Sequence, residues 1–238
     1  MPRRLIPALA LTAVLAGGCV AGTGDSAPLR IHGAASTRVL NEDLAAAWDR
    51  GLEFHNAGSS TLVQQLIDGA PADLLITADH ATMSRAVEGG VVEGPRVVAH
   101  NELVMVVGRG ASISSVDDLG PDTALVLCDP QVPCGAVTAQ LIDPDIRPVS
   151  LEHSVADVLG KVVSGQADAG WVYRTDALAA GDAVTVVDIP GAVDHPTAVV
   201  AAVTTGSADR EEAQALLDLL SSPTMRPVWA EHGFTPAR

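Results

Sequence analysis

Short apolar runs alternate with segments of helical periodicity from residue 29 onward, and few folds accommodate that rhythm. Leu29 to His32 has the make-up of a strand and leads into a helical stretch from Thr37 to Arg50. A second strand, Leu52 to His55, precedes a helix from Ser60 to Asp68 with Leu62, Val63, Leu66 and Ile67 on one face. Asp73 to Thr77 reads as a short buried strand and Ala81 to Glu88 as a further helix. Strand and helix alternating over short connections argue for a parallel sheet in an α/β fold. Leu103 to Val107 is an apolar run that does not continue the pattern, and it reads as a crossover into a second lobe.

The theme then repeats. Ala124 to Cys128 is strand-like and Gly135 to Ile142 helix-like. Val155, Val158, Leu159, Val162 and Val163 recur at the spacing of one helix face, and Ser154 with Asp157 has the form of a capping box. Gly170 to Tyr173 and Val184 to Ile189 read as strands, and Thr197 to Val203 as the run that returns to the first lobe. Final helices carry Ala213, Leu216, Leu217 and Leu220, then Val228 and Trp229. Residues 28–102 with 198–238 are thus expected to form one α/β lobe and residues 103–197 the other, joined by two crossovers. Trp48, Trp171 and Trp229 are expected in cores or in lobe packing.

Residues 1–18 have the pattern of a secretory signal and are set aside from the fold. Arg3 and Arg4 supply a positive start, Leu5 to Ala16 an apolar run too short to span a membrane, and Gly17 and Gly18 small residues before Cys19. Cysteine at that point resembles the lipobox of bacterial lipoproteins, which implies acylation of Cys19 and anchoring on the outer side of the cell membrane. Ala16 stands where a lipobox usually has an aliphatic residue, and plain secretion is the alternative. Residues 19–27 continue as a flexible tether rich in Gly, Ser and Ala.

Charge narrows the partners. The formal net charge is −15, becoming −17 without Arg3 and Arg4, and Lys161 is the only lysine. Such a chain is not drawn to nucleic acid or to an anionic membrane surface by general attraction. To bind an anion it must use local dipoles and neutral donors. Apart from Cys19, the cysteines are Cys128 and Cys134, with Pro130 and Pro133 bending the segment between them. In an oxidising compartment they are expected to form a small disulfide loop, worth about 2 kcal/mol by chain entropy, with two free thiols as the alternative. The spacing does not suit a metal pair.

Two motifs, Gly33 to Thr37 and Gly58 to Thr61, follow strands and open helices. Each sets hydroxyls and unpaired backbone N–H groups at a helix start, where an anion is favoured; simple capping by serine explains either one alone.

The blocks AAST (34–37), GSSTLVQQLIDGAPADLLITAD (58–79), DPQVPCG (129–135) and SVADVLGKVVSGQADAGWVYRTDA (154–177) occur in an order that resembles the molybdate-binding proteins of ABC importers. His195-Pro196 and the Glu231 to Phe234 stretch add weaker likeness. The resemblance implies a two-lobed type II periplasmic-binding-protein fold without enzymatic activity or cofactor. It also implies a molybdate or tungstate ligand, a membrane permease with its ATPase as partners, and a monomer. Position by position it implies hydroxyl donors at Ser36 and Ser59, backbone N–H donors at Cys134 and Val155, and a phenol donor at Tyr173, the only tyrosine. Donors of this kind favour a fully ionised oxyanion, and sulfate is the alternative ligand. Cys134 stands where the family usually has alanine, and Ala156 where it commonly has arginine.

Two other classes fit less well. A hydrolase would be expected to show a G-x-S-x-G elbow, which is absent from the sequence. The seven histidines (32, 55, 80, 100, 153, 195 and 232) include no i, i+4 pair and no His-Glu-x-x-His, which argues against a metalloprotein.

Overall fold

The structure is a computed structural model and describes residues 27–237. The expected signal segment and Cys19 lie outside the described residues. Eleven strands among the described residues form two sheets.

The first sheet runs β11-β4-β10-β3-β1-β2, with β1 Leu29–Ala34, β2 Leu52–Ala57, β3 Leu74–Thr77, β4 Val92–Asn101, β10 Thr197–Thr204 and β11 Thr235–Pro236. β1 pairs in parallel with β2 and β3, whereas β10 runs antiparallel to both β3 and β4. The second sheet runs β7-β6-β8-β5-β9, with β5 Leu103–Gly108, β6 Leu125–Cys128, β7 Ser150–Glu152, β8 Ala169–Tyr173 and β9 Val184–Asp188. There β6 is parallel to β7 and β8, and β5 is antiparallel to β8 and β9. The expectation of parallel sheets is therefore corrected to mixed sheets. The reason is topological, because β5 and β10 enter their sheets from the opposite lobe and run against the local strands.

The chain crosses between sheets at Glu102 and again over residues 189–196. Hydrogen bonds brace the crossings: Thr197 Oγ1 donates to the Asn101 carbonyl at 3.2 Å, and Asn101 Nδ2 to Thr175 Oγ1 at 2.9 Å.

Helices α1 Asn41–Ala47, α7 Arg210–Leu220 and α8 Arg226–Glu231 cover one face of the first sheet around Leu29, Ile31, Leu44, Leu216 and Trp229. Helices α2 Ser59–Ile67 and α3 His80–Glu88 cover the other face through Leu62, Val63, Leu66, Met83 and Ala86. In the second lobe α4 Pro133–Leu141, α5 Val155–Val163 and α6 Arg174–Ala180 enclose β5 and β8. Val158 and Val162 of α5, Trp171 and Tyr173 are all buried there. Trp171 and Trp229 are core residues as expected, and Trp48 is partly exposed.

Two local expectations change. The stretch expected as one helix from Thr37 to Arg50 is a 3-10 turn, Ala35–Leu40, followed by the shorter α1. Ser154 caps α5 by accepting the Asp157 N–H at 3.3 Å, but its hydroxyl donates to Asp157 Oδ2 at 2.7 Å. Asp157 is thus engaged with the Ser154 side chain, and the reciprocal bond of a capping box is not formed.

Candidate functional site

Between the lobes lies a cavity of about 20 Å³. Ala34, Ala35, Ser36, Gly58, Ser59 and Ala78 line it from the first lobe, and Val132, Pro133, Cys134, His153, Ser154, Val155 and Tyr173 from the second. All five residues singled out in the sequence, Ser36, Ser59, Cys134, Val155 and Tyr173, border this one space.

The folding of each segment explains why. β1, β2 and β6 end at the cleft; the chain passes almost at once into the 3-10 turn after β1 and α2 after β2, and into α4 through the short turn 129–132 after β6. α5 starts beside them. Four helical N-termini therefore meet, and the N–H groups of a first turn have no acceptor within their own helix. Their dipoles favour an anion in the cavity, which no lysine or arginine lines.

Neither serine is used as a cap. Gly58 occupies the N-cap of α2 and Ala34 that of the 3-10 turn, and neither end has a side-chain capping bond. The Ser36 hydroxyl is buried with no hydrogen-bond partner. The Ser59 oxygen accepts the Ala78 N–H at 3.0 Å, which leaves its proton to be donated elsewhere. Ser154 also reaches the cavity, but its proton is committed to Asp157.

Tyr173 ends β8, fully buried, and its hydroxyl has no partner. Thr197, close enough to moderate the phenol's acidity, gives its own proton to Asn101. Burial pushes the Tyr173 phenol well above its ordinary range, and the nearby carboxylates of Asp79 and Asp176 add to the effect. The group therefore stays protonated and can only be a donor toward an anion.

Cys128 at the end of β6 is bonded to Cys134 in the first turn of α4, with Cα atoms 5.7 Å apart. Pro133 at the first helical position lacks an N–H, so Cys134 supplies the first N–H of that helix. The loop is folded tightly upon itself. A side chain at Gly135 would overlap the Asp129 carbonyl oxygen, and Val132 N–H donates to that same carbonyl at 3.0 Å. The disulfide and the glycine together fix where the Cys134 N–H stands.

The sequence marks Gly58 only as the opening of a helix motif and His153 only as one of seven scattered histidines; neither is expected as a contact between the lobes. A Cβ on Gly58 would lie 2.7 Å from the His153 carbonyl oxygen, so the lobes touch backbone to backbone at the cavity's edge. The Gly before the Ser-Ser-Thr run was the available signal, since close backbone approach is a reason for glycine.

A lining of hydroxyl and N–H donors, without a carboxylate, suits an anion and not a metal cation. Among the described residues no group of three or more His, Cys, Asp or Glu is placed to hold a metal ion, and no helix is long and apolar enough to cross a membrane.

Two α/β lobes closing on a cage of donors define a solute receptor, and the family model for the bacterial extracellular solute-binding proteins matches residues 29–235. The molybdate-binding protein ModA of Mycobacterium tuberculosis is 37% identical over 190 residues, covering 77% of this chain and 73% of that protein. The chain belongs to the bacterial extracellular solute-binding proteins and, within them, to the ModA family. Among solved structures, the periplasmic molybdate-binding protein of Azotobacter vinelandii superposes with a TM-score of 0.76 at 19% identity, over 88% of this chain and 100% of that one. The sulfate-binding protein SubI of M. tuberculosis superposes with a TM-score of 0.72 at 18% identity, over 88% and 87%. These two likenesses establish the shared two-lobed fold.

Proposed function

We propose that this protein binds molybdate outside the cytoplasm and hands it to an ABC importer. The observation that carries the reading is the convergence of uncommitted donors from both lobes, Ser36, Ser59 and Tyr173 with the N–H groups of Cys134 and Val155, on one cavity lined by no lysine, arginine or carboxylate. The naming of its ModA relatives supports the choice of anion. Hydrogen bonds to a charged oxygen are roughly twice as strong as neutral ones, so a dianion is held without a counter-charge. Hydrogen phosphate would point a proton at a donor. The cavity suits a compact inorganic ion rather than an organic phosphate.

Tungstate, alike in shape and charge, is the expected second ligand. Residues 28–102 with 198–238 and residues 103–197 act as lobes that part and close about the crossovers, and the anion favours the closed form by touching both. Cys19 is the proposed point of lipid attachment, the receptor works as a monomer without cofactor or catalysis, and a permease with its ATPase is the proposed partner.

Calorimetric titration with molybdate, tungstate and sulfate in turn tests the reading. One-to-one binding of the first two with no heat from sulfate is the expected result. Sulfate alone would make this a sulfate receptor, the alternative that the SubI fold keeps in view; silence toward all three would overturn oxyanion binding.

A further inference from the structure

Arg38 and Asp176 lie 138 residues apart in sequence and on opposite lobes, yet Arg38 Nη1 donates to Asp176 Oδ1 at 2.6 Å. We propose that this pair is a clasp that holds the cleft shut over the bound anion, with both residues acting as positioning residues and neither as a ligand. The inference rests on the lobe-closing function proposed above.

The clasp joins two of the three segments that carry hydroxyl donors, one from each lobe. Arg38 is two residues beyond Ser36 on the same 3-10 turn, and Asp176 is three beyond Tyr173 in the first turn of α6. The 3-10 turn packs against both α5 and α6. Arg38 is held in place by a second bond from Nη1 to the Ala35 carbonyl at 2.8 Å. Its guanidinium side chain is one-third exposed, whereas the Asp176 side chain is fully buried and its Oδ2 has no partner. Tyr173 at the end of β8 is the titratable group that feels the Asp176 charge from the cavity side, and Asp79 before α3 acts on the same phenol. Arg38 is the cation opposite Asp176.

When the lobes part, Arg38 leaves with the first lobe and Asp176 stays with the second. The attraction exists only in the closed form, so it slows release without speeding capture. It also offsets a buried negative charge close to the anion's own donors, which would otherwise repel the ligand.

The test is stopped-flow kinetics of molybdate binding to the full chain and to Arg38→Ala, Arg38→Lys, Asp176→Asn and the Arg38→Ala/Asp176→Asn double variant. Arg38→Ala is expected to raise the dissociation rate about tenfold or more, as loss of a buried charge partner does, with the association rate within about twofold. Arg38→Lys should recover part of the loss, and removing Arg38 in the Asp176→Asn background should change little. A change confined to association, or an equal loss with Asn at 176, overturns the clasp. Failure of the unmutated protein to bind molybdate would refute the proposed ligand instead. The clasp is then judged by nitroxide-pair distances between the lobes of the ligand-free protein. Longer, broader distances in Arg38→Ala support it, and identical distributions overturn it.

Discussion

The backbone N–H of Ala78 donates to the Ser59 hydroxyl oxygen at 3.0 Å, whereas the Ser36 hydroxyl, across the same cavity, is bonded to nothing. Two serines that look equivalent in sequence therefore differ in what their removal does. Ser36→Ala should weaken molybdate binding by about 1.5–3 kcal/mol, the range for a bond to a charged group, and leave the ligand-free protein at least as stable as before, since the hydroxyl has no partner to lose. Ser59→Ala should weaken binding comparably and also lower the melting temperature, because the buried Ala78 N–H loses its acceptor. Titration together with thermal melts of both variants checks the distinction.

Gly58 meets the His153 carbonyl across the cleft with no room for a side chain. Gly58→Ala should leave each lobe intact but obstruct closure, so affinity falls by tenfold or more, about 1.4 kcal/mol, while the ligand-free melting temperature is unchanged. A molybdate titration with an accompanying melt reads both, and unaltered affinity would show that the lobes close with more space there.

Tyr173 should show effects of opposite sign. Its hydroxyl is buried in the cleft with no protein partner, so Tyr173→Phe removes an unsatisfied polar group and should raise stability by about 1 kcal/mol. The same change should weaken molybdate binding. Urea unfolding without ligand and titration with it measure the two halves; equal affinity would remove the phenol from the ligand set.

Asp176 should leave a signature in acid. Burial raises its carboxyl from 3.8 to about 6, with Arg38 offsetting part of the shift. The folded protein then holds this proton more tightly than the unfolded chain. The group's stabilising contribution is complete below its ordinary value and is lost as pH rises through about 6. Its size is on the order of 3 kcal/mol. Relative to the parent, Asp176→Asn should therefore gain stability between about pH 4 and about pH 7, as read by urea unfolding across that range. A pH-independent difference would mean that Asp176 titrates normally.

Much of this arrangement was legible because local signals agree with the fold. The Gly and Ser residues after β1 and β2 mark chain reversals into helical turns, and the apolar stripe from Val155 to Val163 marks the helix buried against β8. What escaped lacked such a signal. β4 was missed because Gly94 and Pro95 interrupt its apolar run and Glu93 to Arg96 are exposed. β7 is three residues long and only partly buried. The 3-10 turn Ala35–Leu40 is hidden in the sequence because Val39 and Leu40 continue the period of the helix expected from Thr37 to Arg50. The Arg38–Asp176 pair depends on how two lobes meet, which no short-range pattern records.

Of the groups around the cavity, the N–H donors at Cys134 and Val155 belong to the main chain. Any residue except proline can present them, so the side chains at 134 and 155 can change without surrendering either donor. At Cys134 the side chain makes a covalent tie to β6 while the N–H stays in place. Drift at such positions would be mistaken for loss of a binding site by any comparison that reads only residue identities.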